Sequence, residues 1–252
     1  MMKPAIQLTG ITKAFELSVG KPGSLKSALI SFKRTPTQKL LAIKDLNMTV
    51  DHGETVAVIG KNGSGKSTLL RIIGRVYKPT TGSVEVDGRM STMLDLGAGF
   101  HPDLTGRENI FFSAAVMGLS TAQIKGRIDR IIDFSELNDF IDSPIRTYSA
   151  GMLMRLGFAI AVETDPDILL IDEVLAVGDA AFQEKCYERI DSFKADKKTI
   201  VFVTHDLDAA RKVATRTIWF DKGEVRADGD TNEVIDAYLS TVPAHQHSAS
   251  GR

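Results

Sequence analysis

Gly60-Lys61-Asn62-Gly63-Ser64-Gly65-Lys66-Ser67-Thr68 decides how this chain folds. It follows Thr55-Val56-Ala57-Val58-Ile59, a run apolar almost throughout, as strands buried in a parallel sheet are. A helical pattern, Thr68 to Val76, follows it. The stretch fits G-x-x-x-x-G-K-[ST] in the strand–loop–helix setting that the pattern demands. Glycines let the backbone curl so that successive N–H groups point inward, and the helix adds its positive end. Lys66 brings a point charge to β- and γ-phosphates, and the Ser67 hydroxyl is a ligand for Mg²⁺. Gly60 to Thr68 are therefore the candidate nucleotide-binding residues.

Downstream, Asp167-Ile168-Leu169-Leu170-Ile171-Asp172-Glu173 reads as a buried strand ending in two carboxylates. Asp172 is placed to hold Mg²⁺, directly or through water. Glu173, one residue on, points differently and is suited to orient or deprotonate an attacking water. A third strand, Thr199 to Val203, runs into Thr204-His205-Asp206, where His205 is a candidate γ-phosphate contact.

Outward from these strands the pattern is α/β with a mostly parallel sheet. A short strand opens at Ile6-Gln7-Leu8, and further strands are expected at Ala42–Val50, Ser83–Val86 and Ser91–Leu96. Residues 105–164 are largely helical in pattern. Thr217–Phe220 and Glu224–Ala227 form a hairpin through Lys222-Gly223, and Asn232–Leu239 is a closing helix. The tail from Val242 is rich in Ser, Ala and His and reads as disordered. Residues 17–41 stand apart: Lys21, Lys26, Lys33, Arg34 and Lys39 with no acid. Within them Ser24 caps a short helix carrying Leu25, Ala28, Leu29 and Phe32 at helical spacing. That apolar stripe packs on its own domain or meets a membrane surface or membrane partner.

Composition is that of a folded domain: 252 residues, 43% apolar, 25% charged. A net charge of -1 gives no global attraction to nucleic acid, and none is expected as a partner. The one cysteine, Cys186, has no disulfide partner within the chain, which suits a reducing compartment. The start lacks the apolar stretch of a secretory signal. No apolar run approaches the ~20 residues of a membrane helix, so if the protein works at a membrane it needs a partner to cross it.

A phosphate loop alone allows a kinase, a GTPase or a helicase. Tyr148-Ser149-Ala150-Gly151-Met152 narrows the choice. It precedes a helix, Leu153 to Val162, and lies between the two nucleotide motifs. It resembles the LSGGQ signature of the ATP-binding cassettes, keeping the serine and second glycine and departing at Ala150 and Met152. The resemblance covers residues ~5–240, the span of the α/β pattern. It implies a P-loop NTPase (RecA-like) core with an N-terminal antiparallel β-subdomain and an inserted α-helical subdomain. Core and β-subdomain are expected over 1–95 and 165–240, the helical subdomain over 96–164, and the tail over 241–252. It also implies two copies paired head to tail, with Ser149 and Gly151 binding the γ-phosphate of ATP held by the other. Glu173 then resembles the catalytic carboxylate and His205 the switch histidine. Ala176-Val177-Gly178-Asp179 resembles the D-loop, and Phe15 the ring that stacks on adenine. ATP and Mg²⁺ are the implied cofactors.

One departure narrows the family. Met93 to Pro102 contains no glutamine where the family reaches Mg²⁺ and its transmembrane partner, so either Asp95 substitutes or the link is made otherwise. Leu96-Gly97-Ala98-Gly99-Phe100-His101-Pro102, Leu104-Thr105-Gly106-Arg107-Glu108-Asn109 and Asp172 to Asp179 resemble the exporters of O-antigen, capsule and teichoic acid. The expected protein is an ATPase at the cytoplasmic face of the cytoplasmic membrane. It would serve an integral membrane permease and a lipid-linked glycan, with the block around Phe111, Phe112 and Met117 cradling a permease helix. The chain is expected to end before the carbohydrate-binding domain that some O-antigen members carry. The competing readings are a cassette exporting another substrate, a non-transport cassette acting on DNA or ribosomes, and a small-molecule kinase. The signature segment disfavours the last.

Overall fold

The computed structural model describes residues 3–18, 37–94, 99–172 and 178–241. Two sheets form its frame. Strands β1 (Ile6–Ser18), β2 (Thr37–Val50) and β4 (Thr81–Val86) make an antiparallel sheet in the order β2-β1-β4. The larger sheet contains β3 (Thr55–Ile59), β5 (Met90–Met93), β6 (Ile168–Asp172), β7 (Thr199–Val203), β8 (Arg216–Asp221) and β9 (Glu224–Asp230). Its order is β5-β6-β7-β3-β8-β9, parallel except where β9 turns back along β8.

The central strands are apolar on both faces because both faces are covered. Side chains alternate across a strand. Val56 and Val58 of β3, Val201 and Val203 of β7, and Ile168 and Leu170 of β6 therefore enter one core, shared with Leu69 and Leu70. Ala57 and Ile59, Ile200 and Phe202, and Leu169 and Ile171 enter the other, shared with Phe158, Phe182 and Phe193. Each such side chain contributes roughly 1.5–3 kcal/mol by leaving water, so these strands cannot slip register without turning both cores outward.

Helix α1 (Lys66–Ile73) follows β3. Between β5 and β6 come α2 (Gly106–Val116), α3 (Thr121–Lys125), α4 (Ile128–Ser135) and α5 (Ala150–Glu163). These helices have a core of their own, with Ile110, Ile131, Leu137, Leu156 and Ile160 buried in it. Helix α5 is the hinge of the packing. Leu156, Ala159 and Ile160 face that helical core, while Phe158, Ala161 and Val162 face the large sheet. Helices α6 (Ala180–Ala195), α7 (Leu207–Val213) and α8 (Thr231–Ser240) complete the second layer.

Several elements differ from expectation. The opening strand is 13 residues long, not a short segment at Ile6–Leu8, because β2 and β4 pair along its two edges. Strand β2 starts at Thr37, five residues before the expected Ala42. Residues 17–18 and 37–41, read above as insert, thus belong to the two strands. The rest of the basic segment, including Ser24, Leu25, Ala28, Leu29 and Phe32, lies outside the described residues, as do the tail from 242, residues 95–98 and residues 173–177. The hairpin through Lys222-Gly223 forms as expected, both turn residues taking positive φ.

Candidate functional site

The phosphate loop leaves the carboxyl end of β3, an inner strand of the sheet, where ligands of open α/β sheets bind. Glycine is required at Gly60 and Gly65 by contact as well as by conformation. A Cβ on Gly60 (φ 144) would fall 2.0 Å from the Phe220 carbonyl oxygen. One on Gly65 (φ 111) would fall 2.4 Å from that of Ala42. The loop is therefore pressed onto the hairpin turn and onto β2. Gly223 N–H donates to Ser64 O and Lys44 N–H to Gly223 O, both at 2.9 Å, tying loop, turn and strand into one backbone stack. The strand contributes by bulging: β1–β2 register shifts between Lys13 paired with Ile43 and Ala14 paired with Leu41, and Ala42 lies in the interruption.

Within this frame Lys66 is 5% exposed and its Nζ donates to Gly60 O at 2.7 Å and Lys61 O at 3.1 Å. Gly65 caps α1 with no side-chain hydrogen bond, so no side chain of the cap occupies the helix's leading N–H groups. Ser67 Oγ donates to Asp172 Oδ1 at 3.3 Å. The pair brings a hydroxyl and a carboxylate together from β6 and the head of α1, the hard-oxygen donor set Mg²⁺ takes. Ser64 Oγ is buried inside the loop without a hydrogen-bond partner among the described residues.

A cleft of about 640 Å³ opens over the loop. Asn62, Gly63, Ser64, Gly65, Lys66, Ser67 and Thr68 line it, and Phe15 forms part of its wall. The Phe15 ring is held in place. Tyr77 meets it edge-on at 5.6 Å between centroids, and Lys13 Nζ sits 5.0 Å from its centroid. Gly60 and Lys61 form the entry of the loop. His205 is exposed just beyond β7, the strand next to β3. Glu173 lies outside the described residues, directly after Asp172.

Sequence reading missed part of this cleft. Leu40, Leu41, Lys44, Lys222 and Gly223 also line it. Leu40 and Leu41 had been grouped with the basic insert. The only available signal was two adjacent leucines before an alternating strand, which does not tell strand from insert.

The structure does not bring Ser149 and Gly151 to this cleft. They open α5 on the helical block, where Ser149 is the N-cap and its side chain accepts from Met152 N–H. The helix starts three residues earlier than expected because of that cap. What presents the segment is Tyr148, 8% exposed, whose hydroxyl donates to Phe140 O at 2.7 Å. Tyr148 packs so closely on Gly106 that a Cβ there would fall 2.4 Å from its hydroxyl. Leu104 to Asn109 is shaped for this contact. Thr105 and Glu108 cap α2 reciprocally. The Asn109 side chain, fully buried, donates to the carbonyls of His101, Leu104 and Thr105 and accepts from His101 N–H.

Behind Ser149, Arg155 of α5 reaches Glu136 at 2.8 Å and Asp179 at 2.9 Å, with its guanidinium over the Phe182 ring. Asp179 caps α6 by accepting from Phe182 N–H at 3.0 Å. That hydrogen bond, and then Arg155, hold its carboxyl below the usual carboxylate range. On the same helix, burial pushes the Cys186 thiol up to about 12. It is a packed core side chain, as its lack of a partner motif suggests.

Comparison with known proteins agrees with this geometry. The family model described as "ABC transporter" matches residues 43–176. The O-antigen export system ATP-binding protein RfbB of Klebsiella pneumoniae is 46% identical over 245 residues, spanning 96% of this chain and 100% of that protein. The teichoic acids export ATP-binding protein TagH of Shouchella clausii is 42% identical over 237 residues, spanning 94% of this chain and 66% of its own length. Among solved structures, the dimeric ATP-binding cassette MJ0796 in a post-hydrolysis state bound to ADP and Pi superposes with a TM-score of 0.72 at 26% identity. That match covers 90% of this chain and 98% of the other. With the family model spanning more than half of its residues and a relative matched along its full length, the chain belongs to the ABC transporter family.

Proposed function

We propose that this chain is the ATP-binding and ATP-hydrolysing subunit of an exporter for lipid-linked polysaccharide, of the O-antigen or capsule type. Its similarity to an O-antigen export ATP-binding protein, 46% over nearly the whole of both chains, carries the reading. Two copies work head to tail at the cytoplasmic face of the cytoplasmic membrane, beneath an integral membrane permease. No helix among the described residues is long and apolar enough to cross a membrane, so translocation falls to that permease. We take 1–95 with 165–240 as core and β-subdomain, and 96–164 as the helical subdomain.

Each side chain then has a defined task. Lys66 exchanges the Gly60 and Lys61 carbonyls for phosphate oxygens, and the loop's N–H groups hold the remaining charge. Ser67 and Asp172 offer oxygens to Mg²⁺, which when bound neutralises charge developing on the β- and γ-phosphates. Glu173 orients the attacking water and takes its proton, and His205 contacts the γ-phosphate. Ser149 and Gly151 reach the γ-phosphate held by the other copy, with α5 adding its N-terminal end. The face offered to the permease is Phe112, 49% exposed, together with Val116 and Phe140. Phe111 and Met117, assigned to that face above, are partly buried, packing against the helical core beside it.

Glu173→Gln in the purified complex should leave ATP binding intact and reduce turnover at least a hundredfold, the order of effect of losing a general base. Hydrolysis near the parent rate would remove Glu173 from its role. For the export reading, the chain should co-sediment with membranes only alongside its permease, and its ATPase rate should respond to that partner. Indifference to the partner would favour a non-transport cassette.

A further inference from the structure

Three helices meet at one joint, and each brings a phenylalanine and a charged group to it. Helix α4 supplies Phe134 and ends at Glu136, α5 supplies Phe158 and Arg155, and α6 supplies Phe182 and Lys185. The rings touch in turn: between centroids Phe134 lies 5.8 Å from Phe158 and 5.9 Å from Phe182, and Phe158 lies 6.4 Å from Phe182. Arg155 sits over the Phe182 ring and Lys185 over that of Phe134. The Glu136 carboxylate accepts from both cations, from Arg155 at 2.8 Å through Oε2 and from Lys185 at 3.2 Å through Oε1. We propose that Glu136 is a positioning residue for ATP hydrolysis. Its carboxylate is the common anion of a two-cation clasp that sets the angle of α5, and with it Ser149 and Gly151, against α6. The inference rests on the reading of Ser149 and Gly151 as the contact to the other copy's γ-phosphate.

Burial of the rings is non-directional, so it holds the three helices together without fixing their angle. Charge-assisted hydrogen bonds add the direction. Glu136 is joined to α6 at two points, directly through Lys185 and by way of Arg155 to Asp179 at the helix start. Lys185 Nζ also donates to the carbonyls of Phe134 at 3.0 Å and Asp133 at 3.4 Å, so α6 caps the last turn of α4. Arg155 lies six residues beyond Ser149, about 9 Å along a rigid helix, so a tilt at the clasp is carried to Ser149. The backbone at Glu136 supports the same assignment. Its φ of 58 and ψ of 34 are left-handed, the conformation in which glycine ends a helix at least cost. The Glu136 side chain is 48% exposed, so its ion pairs return little stability. Stability alone therefore favours glycine at this position, and what glycine lacks is the carboxylate.

The test measures kcat, KM for ATP and melting temperature for the purified full chain and for Glu136→Gly and Glu136→Gln. Glu136→Gly should lower kcat about fivefold, the order that two exposed ion pairs supply. Its KM should stay within about twofold of the parent's, the pattern of a contact that matters in the reacting state. Its melting temperature should equal or exceed the parent's, because the left-handed backbone is relieved. Glu136→Gln keeps the side chain's length and loses its charge, and should lower kcat to the same degree. Parent-like kcat in either variant overturns the clasp. So does a loss of activity in Glu136→Gly that comes with a lower melting temperature, for Glu136 is then only structural, or one confined to KM. Gly151→Asp, measured alongside, reports on the γ-phosphate reading. Hydrolysis at the parent rate in that variant overturns the reading and the clasp with it. An inactive Gly151→Asp beside parent-like Glu136 variants overturns the clasp alone.

Discussion

The phosphate loop and the Tyr148–Met152 segment are both glycine-bearing turns that open a helix, yet the fold treats them oppositely. Around Gly60–Lys66 the backbone is clamped on two sides, by Phe220 and by Ala42, and α1 begins with no side-chain cap. At Ser149 the helix is already capped by its own serine, and the residues that follow stand partly exposed. The first site is a cradle shaped by backbone packing on both of its sides. The second is a presented edge that meets nothing of the cleft within its own chain. Such a division suits a catalytic unit made from two copies, each completing the other's site.

The largest expected effect on nucleotide affinity falls on the phosphate-loop half. Lys66→Ala should weaken ATP binding by about 10- to 150-fold, since hydrogen bonds to charged groups contribute about 1.5–3 kcal/mol. Gly65→Ala should do at least as much by a different route, because its Cβ has no room beside Ala42 O. Calorimetric titration with Mg-ATP checks both. Equal affinity in either variant would mean that the cradle is not the binding site.

The next experiment breaks the comparison directly. Gly151→Asp puts a carboxylate where the proposed γ-phosphate contact lies, and should abolish hydrolysis while leaving nucleotide affinity within about twofold, as expected where the like-charge clash arises only on closure. Mixing that variant with Lys66→Ala should then restore activity. A mixed head-to-tail pair places both defects in one composite site and leaves the other intact. Mixtures as inactive as their components would count against shared sites.

Legibility in the sequence followed the same line. Motifs made of consecutive residues were readable: the loop, the Asp172 strand end and the Lys222-Gly223 turn each carry their geometry locally. What escaped reading was set by partners distant in sequence. Strand β1 runs on to Ser18 only because β2 and β4 pair with it, and Leu40 and Leu41 looked like part of a basic insert until pairing placed Leu40 beside Phe15. Tyr148 reads as a signature residue, but its packing on Gly106 depends on a loop some forty residues earlier. Phe111 and Phe112 are indistinguishable by type, and only the phase of α2 turns one against the helical core and the other outward.

A smaller effect belongs to Arg155, which ties the presented edge to the start of α6. It touches nothing in the cleft, so it acts as a positioning residue. Arg155→Ala should lower kcat by about fivefold with KM unchanged, the pattern of a contact that matters only in the closed, reacting state. A rise in KM alone would instead indicate a role in nucleotide uptake.

The smallest effect is on acid stability at the far end of that tie. The Asp179 carboxyl titrates below its usual range in the folded chain, first because Phe182 N–H donates to it and then because Arg155 lies beside it. A depressed folded pKa means that its stabilisation is fully present above the unfolded value of about 4 and fades as pH falls through the folded one. Asp179→Asn retains a capping oxygen but has no charge to lose. The gap in melting temperature between parent and variant should therefore be largest near neutral pH, about one or two degrees for an exposed pair. It should narrow as pH falls below the unfolded carboxylate value and close only below the depressed folded one. In the Arg155→Ala background the gap should shrink without vanishing, since the hydrogen bond from Phe182 remains. A gap independent of pH would mean that the cap holds α6 by shape alone. The tie from Ser149's helix to α6 would then be packing, with Phe182 under the guanidinium, and not charge.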